Sequence, residues 1–276
     1  MGYKLTWMYV WSQKVRPTWY RSSWDITTAV QDQSIQPQSI SNNRNITVSS
    51  DGYHILLVNE TLPIYEYTLS TPRDLTSTIT IKTKSFTSLG SAGYCSAVVY
   101  SEDGNYLYVH FWEQYWQSCV IAQYQLNTPF DITTAWNAIA SKMITWAYDI
   151  GWFRFYDNWT KIIWDLRDNS NIFTWELWTA WDITTLSNLV KQWNKGYTQW
   201  FAISSDGKNC YMTDEYHSNM TQLTTTTPYN FTTSTSKTRA RPWTYSYGID
   251  VTADGKYLFV ARKNGYIYRY AFTELS

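Results

Sequence analysis

Acid–base or metal chemistry in this sequence would have to use its three histidines, His54, His110 and His217, together with aspartates that recur along the chain. Histidine changes charge near neutral pH and is the commonest metal ligand in proteins. A catalytic or metal site requires several such groups to converge, and no acidic or amide side chain is linked to these histidines by its spacing. The GxSxG, HExxH and phosphate-binding-loop motifs are absent from the sequence. The sequence therefore predicts no catalytic residue, no metal site and no cofactor, and we expect a protein that is not an enzyme.

The first group of recurring aspartates precedes glycine. The pairs are Asp51 and Gly52, Asp103 and Gly104, Asp206 and Gly207, and Asp254 and Gly255. Asp-Gly between two β-rich runs predicts a hairpin, because glycine adopts positive φ without steric cost and aspartate hydrogen-bonds its own backbone. Tyr156-Asp157-Asn158 occupies the corresponding place in the remaining repeat.

The second group begins the phrase Asp-Ile-Thr-Thr or a close variant, which returns about every 50 residues. Its first residues are Asp25, Asp74, Asp131, Asp182 and, in a divergent copy, Asn230. Aspartate and threonine at this spacing can hydrogen-bond local amides and hold a turn. Because a catalytic residue normally occurs once, the recurrence assigns both groups of aspartates to structural turns.

Short β-branched and aromatic runs flank these turns, and no sustained helical period is present. Four antiparallel strands in about 50 residues match one propeller blade, so the predicted fold is all-β, a single β-propeller domain over residues 1–276. The approximate repeat units are 1–43, 44–90, 91–140, 141–195, 196–240 and 241–276. Six four-stranded blades are favoured, with the ring closed by complementary partial units at the two termini. Five blades result if the terminal units merge into one.

Composition restricts the possible partners. Lys and Arg together number 22, as do Asp and Glu, so the formal charge is zero, and a nucleic-acid partner is not expected. No apolar run is long enough for a membrane span, and the first residues do not resemble a secretory signal, so we expect no membrane insertion and synthesis in the cytoplasm. The 17 Trp and 24 Tyr are interpreted mainly as core and inter-blade packing. Cys95, Cys119 and Cys210 are predicted to be buried free thiols.

The connections between second and third strands differ from unit to unit and should open on the face opposite the constant turns. The segment 110–118 is the longest and most aromatic of them. Varied loops on a rigid scaffold are typical of binding surfaces, and aromatic side chains are the usual anchors. The candidate binding residues are Phe111, Trp112, Tyr115, Trp116, Tyr216, His217 and Arg262. The alternative is that Trp112 and Trp116 fold inward and cap the blade.

The string from Ser50-Asp51-Gly52 to Pro72 resembles the lactonase-like, YVTN-type β-propeller repeat. With the phrase Trp24–Ala29 it is similar to repeat proteins of tailed bacteriophages and other aquatic double-stranded DNA viruses, which tend to be structural or of unknown function. The resemblance implies a non-enzymatic virion protein that binds other virion or surface proteins, with host-surface glycans as further partners. An extracellular location is the alternative to the virion. Two other functions stay open, a lactonase- or hydrolase-like enzyme acting in the central channel and a soluble lectin.

Overall fold

The structure is a computed structural model. It describes residues 24–37, 43–59, 63–86, 94–113, 118–144, 150–156, 160–166, 171–194, 200–213, 219–240 and 245–273.

The described residues form five four-stranded antiparallel sheets, which are the blades of a propeller. Strand β1 (Val30–Ile35) belongs to the last of them. Blade 1 contains β2 (Asn43–Val48), β3 (His54–Asn59), β4 (Ile64–Leu69) and β5 (Ile79–Lys84). Blade 2 contains β6 (Tyr94–Tyr100), β7 (Tyr106–Glu113), β8 (Ser118–Leu126) and β9 (Ala135–Ile144). Blade 3 contains β10 (Ile150–Tyr156), β11 (Lys161–Leu166), β12 (Asn171–Leu177) and β13 (Leu186–Asn194).

Blade 4 contains β14 (Trp200–Ile203), β15 (Asn209–Thr213), β16 (Asn219–Thr224) and β17 (Thr235–Ala240). Blade 5 contains β18 (Ser246–Val251), β19 (Tyr257–Arg262), β20 (Ile267–Ala271) and β1. Short 3-10 turns lie at Ile132–Thr134 and Ile183–Thr185.

The ring closes because strands from the two ends of the described chain form one sheet. β1 pairs antiparallel with β20, from Val30 opposite Ala271 to Ile35 opposite Ile267. The all-β propeller is therefore confirmed with five blades, the smaller of the two numbers that the sequence allows, and the preferred count of six is wrong. The first unit supplies one outer strand and the last unit supplies three inner strands, so the two units form one sheet. Each unit pairs backbone groups that the other would leave open at its strand edge.

The innermost strands β2, β6, β10, β14 and β18 contact one another around the central channel. Five hydrophobic clusters fill the blade junctions, one between each neighbouring pair. Trp152, Trp164 and Trp200 are buried in these clusters, as the sequence predicts for most of its tryptophans. The three cysteines are buried free thiols, which confirms that prediction.

Candidate functional site

The Asp-Gly turns are held by a repeated set of side-chain hydrogen bonds. In blade 1, Asp51 Oδ1 accepts from the hydroxyl of Ser49 at 2.5 Å and from the backbone N–H of Tyr53 at 2.9 Å. The Ser49 hydroxyl oxygen in turn accepts from the N–H of His54 at 2.9 Å. The same arrangement surrounds Asp103, Asp206 and Asp254. These carboxylates therefore have structural partners at every described copy.

The Asp-Ile-Thr-Thr phrase also folds as a local turn. Asp131 Oδ1 accepts from the backbone N–H of Thr133 at 3.0 Å and from its hydroxyl at 2.6 Å, and so caps the 3-10 turn. Asp25, Asp74, Asp182 and Asn230 make the same pair of bonds.

The two phrases of one blade contact each other and so share one face of the disc, here called the turn face. In blade 2 the N–H of Phe130 donates to the carbonyl of Gly104 at 3.0 Å. Phe130 has a positive φ of 59° and Gly104 one of 72°. A Cβ on Gly104 would lie 2.5 Å from the Phe130 ring, so only glycine fits this position without rearrangement.

The second phrase also joins neighbouring blades, a role that the sequence interpretation missed. Its apolar residue is buried, and in three copies its backbone N–H is bound by a side chain of the preceding blade. Ile132 donates to Glu66 Oε2 at 2.9 Å, Ile26 to Gln222 Oε1 at 2.7 Å, and Leu75 to Gln33 Oε1 at 2.7 Å. We call this contact the inter-blade clasp. Glu66 and Gln222 each lie in the middle of a third strand, and a polar residue at this position is the sequence signal that could have revealed two of the three contacts.

The clasp between blades 1 and 2 contains a polar cluster. The Glu66 side chain is fully buried and contacts His54 Nδ1 at 3.1 Å, the Tyr100 hydroxyl at 3.1 Å and Lys82 Nζ at 3.5 Å. Burial alone would raise the pKa of Glu66, but hydrogen bonds from His54, Ile132 and Thr68 outweigh it and hold the pKa below its ordinary value. Burial also raises the pKa of Tyr100 well above its ordinary value. The Glu66 carboxylate at this junction therefore has the hydrogen-bond and ion-pair partners that a buried charge requires.

An ion pair between Arg154 and Asp250 spans the central channel. Each innermost strand has one residue at the equivalent distance from its hairpin turn, as the strand pairing within each blade shows. These residues are Thr47, Val99, Arg154, Ala202 and Asp250. Arg154 Nη1 of blade 3 donates to Asp250 Oδ1 of blade 5 at 3.1 Å, so the pair crosses the channel between blades that are not neighbours. Burial raises the pKa of Asp250, although Arg154 and two backbone N–H groups oppose the rise.

Above this pair, a cavity of about 360 Å³ opens at the turn face, and residues of all five blades line it. The lining is rich in hydroxyl groups and contains Glu102, Arg154 and Tyr156.

The structure describes three of the predicted binding residues. Phe111 is fully buried in the cluster between blades 1 and 2, so its assignment to an exposed loop is corrected: β7 continues to Glu113 and the hairpin loop begins later. Trp112 is half-buried and packs against Tyr94 with ring centroids 5.7 Å apart. Arg262 is half-buried at the end of β19. Tyr115, Trp116, Tyr216 and His217 lie outside the described residues.

His110 is not exposed either. Its side chain is fully buried, Nδ1 lies 2.5 Å from the Ser96 hydroxyl oxygen, and burial lowers its pKa to about 3. This histidine is therefore neutral at physiological pH.

An apolar edge on blade 2 was not foreseen from the sequence. β9 is the outer strand of this blade, and it exposes Trp136 at 75%, Ile139 at 55% and Met143 at 56%. The outer strand β17 of blade 4 carries mainly hydroxyl and basic side chains instead. We call this feature the blade 2 edge.

Within the described part of the chain, no group of three or more His, Cys, Asp or Glu side chains could hold a metal ion. A search of the same residues found no helix with the length and apolar character that a membrane span needs.

Neither a protein-family model nor a curated protein matches the chain. The chain is similar to the solved β-propeller domain of Cps50 (Swd1) from Myceliophteria thermophila, with 10% identity, a TM-score of 0.48 and coverage of 89% of this chain and 100% of that one.

Proposed function

We propose that this protein is a non-enzymatic, virion-associated structural protein whose propeller binds other proteins through the blade 2 edge. A closed propeller is a rigid fold suited to protein–protein interaction, because constant turns hold a ring from which edges and loops project. The observation that carries the proposal is the exposure of Trp136, Ile139 and Met143 along one outer strand. Exposed apolar side chains grouped in this way are typical of interaction surfaces.

The geometry of β9 favours an extended segment of a partner protein. β9 pairs with β8 on one side, and the structure places no described strand on its other side. An outer strand presents unpaired backbone N–H and C=O groups, and a partner can add a strand to such an edge. Because β9 is the longest of the outer strands within the described residues, it offers the most such groups among them.

The virion role is supported by the resemblance of the repeat phrases to viral repeat proteins and by the zero formal charge. Under this proposal the partners are other virion or surface proteins, the protein is made in the host cytoplasm, and host-surface glycans are a second class of ligand.

Two measurements test the proposal. Mass spectrometry of virions purified from the source should detect this chain in a constant ratio to the capsid proteins, and its absence would exclude the virion role. A photo-crosslinking amino acid at position 139 should form an adduct with a virion protein, whereas one at position 81 should not. Ile81 is the matched control because it is an exposed isoleucine on the outer strand of blade 1. Equal crosslinking from both positions would refute the blade 2 edge as the binding surface.

A further inference from the structure

The aspartate that begins the Asp-Ile-Thr-Thr phrase is bound, at three blade junctions, by a side chain from the outer strand of the preceding blade. Two of these side chains are lysines and the third is a glutamine amide. The pairs are Lys82 with Asp131, Lys237 with Asp25, and Gln33 with Asp74. In the first pair Lys82 Nζ lies 3.0 Å from Asp131 Oδ2. At these junctions the outer strand therefore supplies the partner of the phrase aspartate.

The junction of blades 2 and 3 lacks this contact among the described residues. In blades 1 and 4 the lysine lies directly opposite the clasp acceptor of the third strand, as Lys82 lies opposite Glu66. In blade 2 the corresponding residue of the third strand is Gln123, and the residue opposite it on β9 is Ala140. Ala140 packs against the hydrophobic cluster between blades 2 and 3 and has no group that could pair with an aspartate. Gln123 Oε1 is buried and has no hydrogen-bond partner in the described part of the chain.

Asp182, the phrase aspartate of this junction, has one carboxylate oxygen open. Its Oδ1 accepts from the N–H of Thr184 at 2.9 Å and from the hydroxyl at 2.6 Å, which holds the turn. Within the described residues its Oδ2 has no hydrogen bond or ion pair, and the residue is half-buried. Lys142 of β9 corresponds by strand pairing to Lys84 of blade 1, which donates to backbone carbonyls of the phrase and not to its aspartate. No described cation therefore contacts Asp182.

This open carboxylate lies next to the exposed side chains of the blade 2 edge. β9 contacts the 3-10 turn Ile183–Thr185, which directly follows Asp182. Trp178, four residues before Asp182 in the same connection, is 81% exposed. The residues at the corresponding place in blades 1 and 2 are the small and polar Ser70 and Asn127. Exposed apolar side chains and an unpaired negative charge thus occur together at this junction.

We propose that the partner segment bound at the blade 2 edge carries a lysine or arginine that pairs with Asp182 and is flanked by apolar residues. The inference rests on the blade 2 edge of the proposed function and adds the chemistry of the partner. A strand added beside β9 would lie about 4.8 Å from it, a distance that the flexible four-carbon stem of a lysine can bridge. The partner then supplies from outside the cation that Lys82 and Lys237 supply within the chain. An acidic residue at the same place would be repelled.

A displayed library of random peptides, each long enough to span β9, tests the chemistry of the partner when it is selected on the immobilised full chain. The enriched peptides should carry a lysine or arginine among apolar residues. Fluorescence anisotropy then compares an enriched peptide with a copy that has glutamine in place of the basic residue. The glutamine copy should bind the wild type about fivefold more weakly, at the upper end of what an exposed ion pair contributes.

Asp182→Asn removes the charge and keeps the turn, because Asn230 makes the same pair of hydrogen bonds in blade 4. The original peptide and its glutamine copy should bind this variant equally. Asp74→Asn, the same substitution in the corresponding turn of blade 1, is the matched control and should preserve the fivefold difference. Thermal unfolding shows whether each variant is folded, and a photo-crosslinking amino acid at position 139 shows whether the peptide lies on the blade 2 edge.

Three results would each overturn the ion pair: no enriched peptide, enriched peptides without a basic residue, or a fivefold difference that persists in Asp182→Asn. Peptides without a basic residue that crosslink to position 139 would refute the ion pair and leave the blade 2 edge standing as a binding surface. Basic peptides that bind through Asp182 to a chain that is absent from virions would refute the virion role and leave this contact standing.

Discussion

The backbone N–H of Ile132 in blade 2 donates a 2.9 Å hydrogen bond to the fully buried carboxylate of Glu66 in blade 1. The bond connects a turn of one repeat to the third strand of the preceding repeat. Gln222 binds Ile26 in the same way between blades 4 and 5, so a carboxylate and an amide perform the same task at two junctions. What the clasp requires is a buried acceptor oxygen at this position, and the charge is an additional feature of the first junction.

This requirement predicts the effects of two substitutions at Glu66. Glu66→Ala leaves the N–H of Ile132 and the hydroxyl of Tyr100 without this acceptor in a buried junction, and should lower the free energy of unfolding by about 3 kcal/mol. Glu66→Gln retains an acceptor oxygen, as at Gln222, and should cost less. Urea denaturation measures both values, and equal losses in the two variants would contradict the clasp.

The same carboxylate predicts how stability depends on pH. The folded pKa of Glu66 lies below its ordinary value of 4.5, so its ionised form stabilises the folded state above that value. This contribution disappears as the pH falls from about 4.5 through the folded pKa. Thermal unfolding between pH 6 and pH 3 should therefore show a smaller loss of stability in Glu66→Gln than in the wild type, and parallel curves would assign the acid sensitivity to other carboxylates.

The strands and turns could be predicted because their causes are local. An aspartate two residues before the N–H that it binds, and a glycine at positive φ, act within one hairpin, and the sequence shows both. The number of blades depends instead on how the two ends of the chain meet. The segment Val30–Ile35 is polar and pairs with a strand more than 200 residues later, so no local pattern identifies its partner.

The candidate sites were harder to predict for related reasons. The aromatic run in segment 110–118 is visible in the sequence, but the end of the strand within it is not, so Phe111 was placed in a loop although it lies in the core. Arg154 and Asp250 are 96 residues apart and come together only across the closed ring. A single charge within an apolar innermost strand, as in Ile249-Asp250-Val251, is the signal that could have indicated a channel pair.

The contact between Gly104 and Phe130 predicts non-additive effects. Gly104→Ala places a methyl group 2.5 Å from the Phe130 ring in a backbone conformation with φ of 72°, and should cost about 2 kcal/mol. In a Phe130→Ala background the cost of the clash with the ring disappears, whereas the cost of placing alanine at a positive φ remains. A double-mutant cycle by urea denaturation should therefore show a smaller cost of Gly104→Ala in that background, and additive costs would mean that the ring does not restrict this glycine.

The ion pair between Arg154 and Asp250 across the channel predicts how stability changes when the cation is removed. Arg154→Met removes the cation beside a carboxylate that is 2% exposed, and should lower the free energy of unfolding by about 2 to 4 kcal/mol. The loss should depend on pH, because burial already raises the folded pKa of Asp250 and removing Arg154 raises it further. A raised folded pKa means that the folded state takes up the proton first as the pH falls, so the variant should recover part of its lost stability between neutral pH and about pH 4. Arg154→Met combined with Asp250→Asn removes the titrating carboxyl group, so the single variant Arg154→Met should gain stability relative to this double variant as the pH falls over this range. If Arg154→Met is destabilised by the same amount at pH 7 and at pH 4, Asp250 does not carry the uncompensated charge.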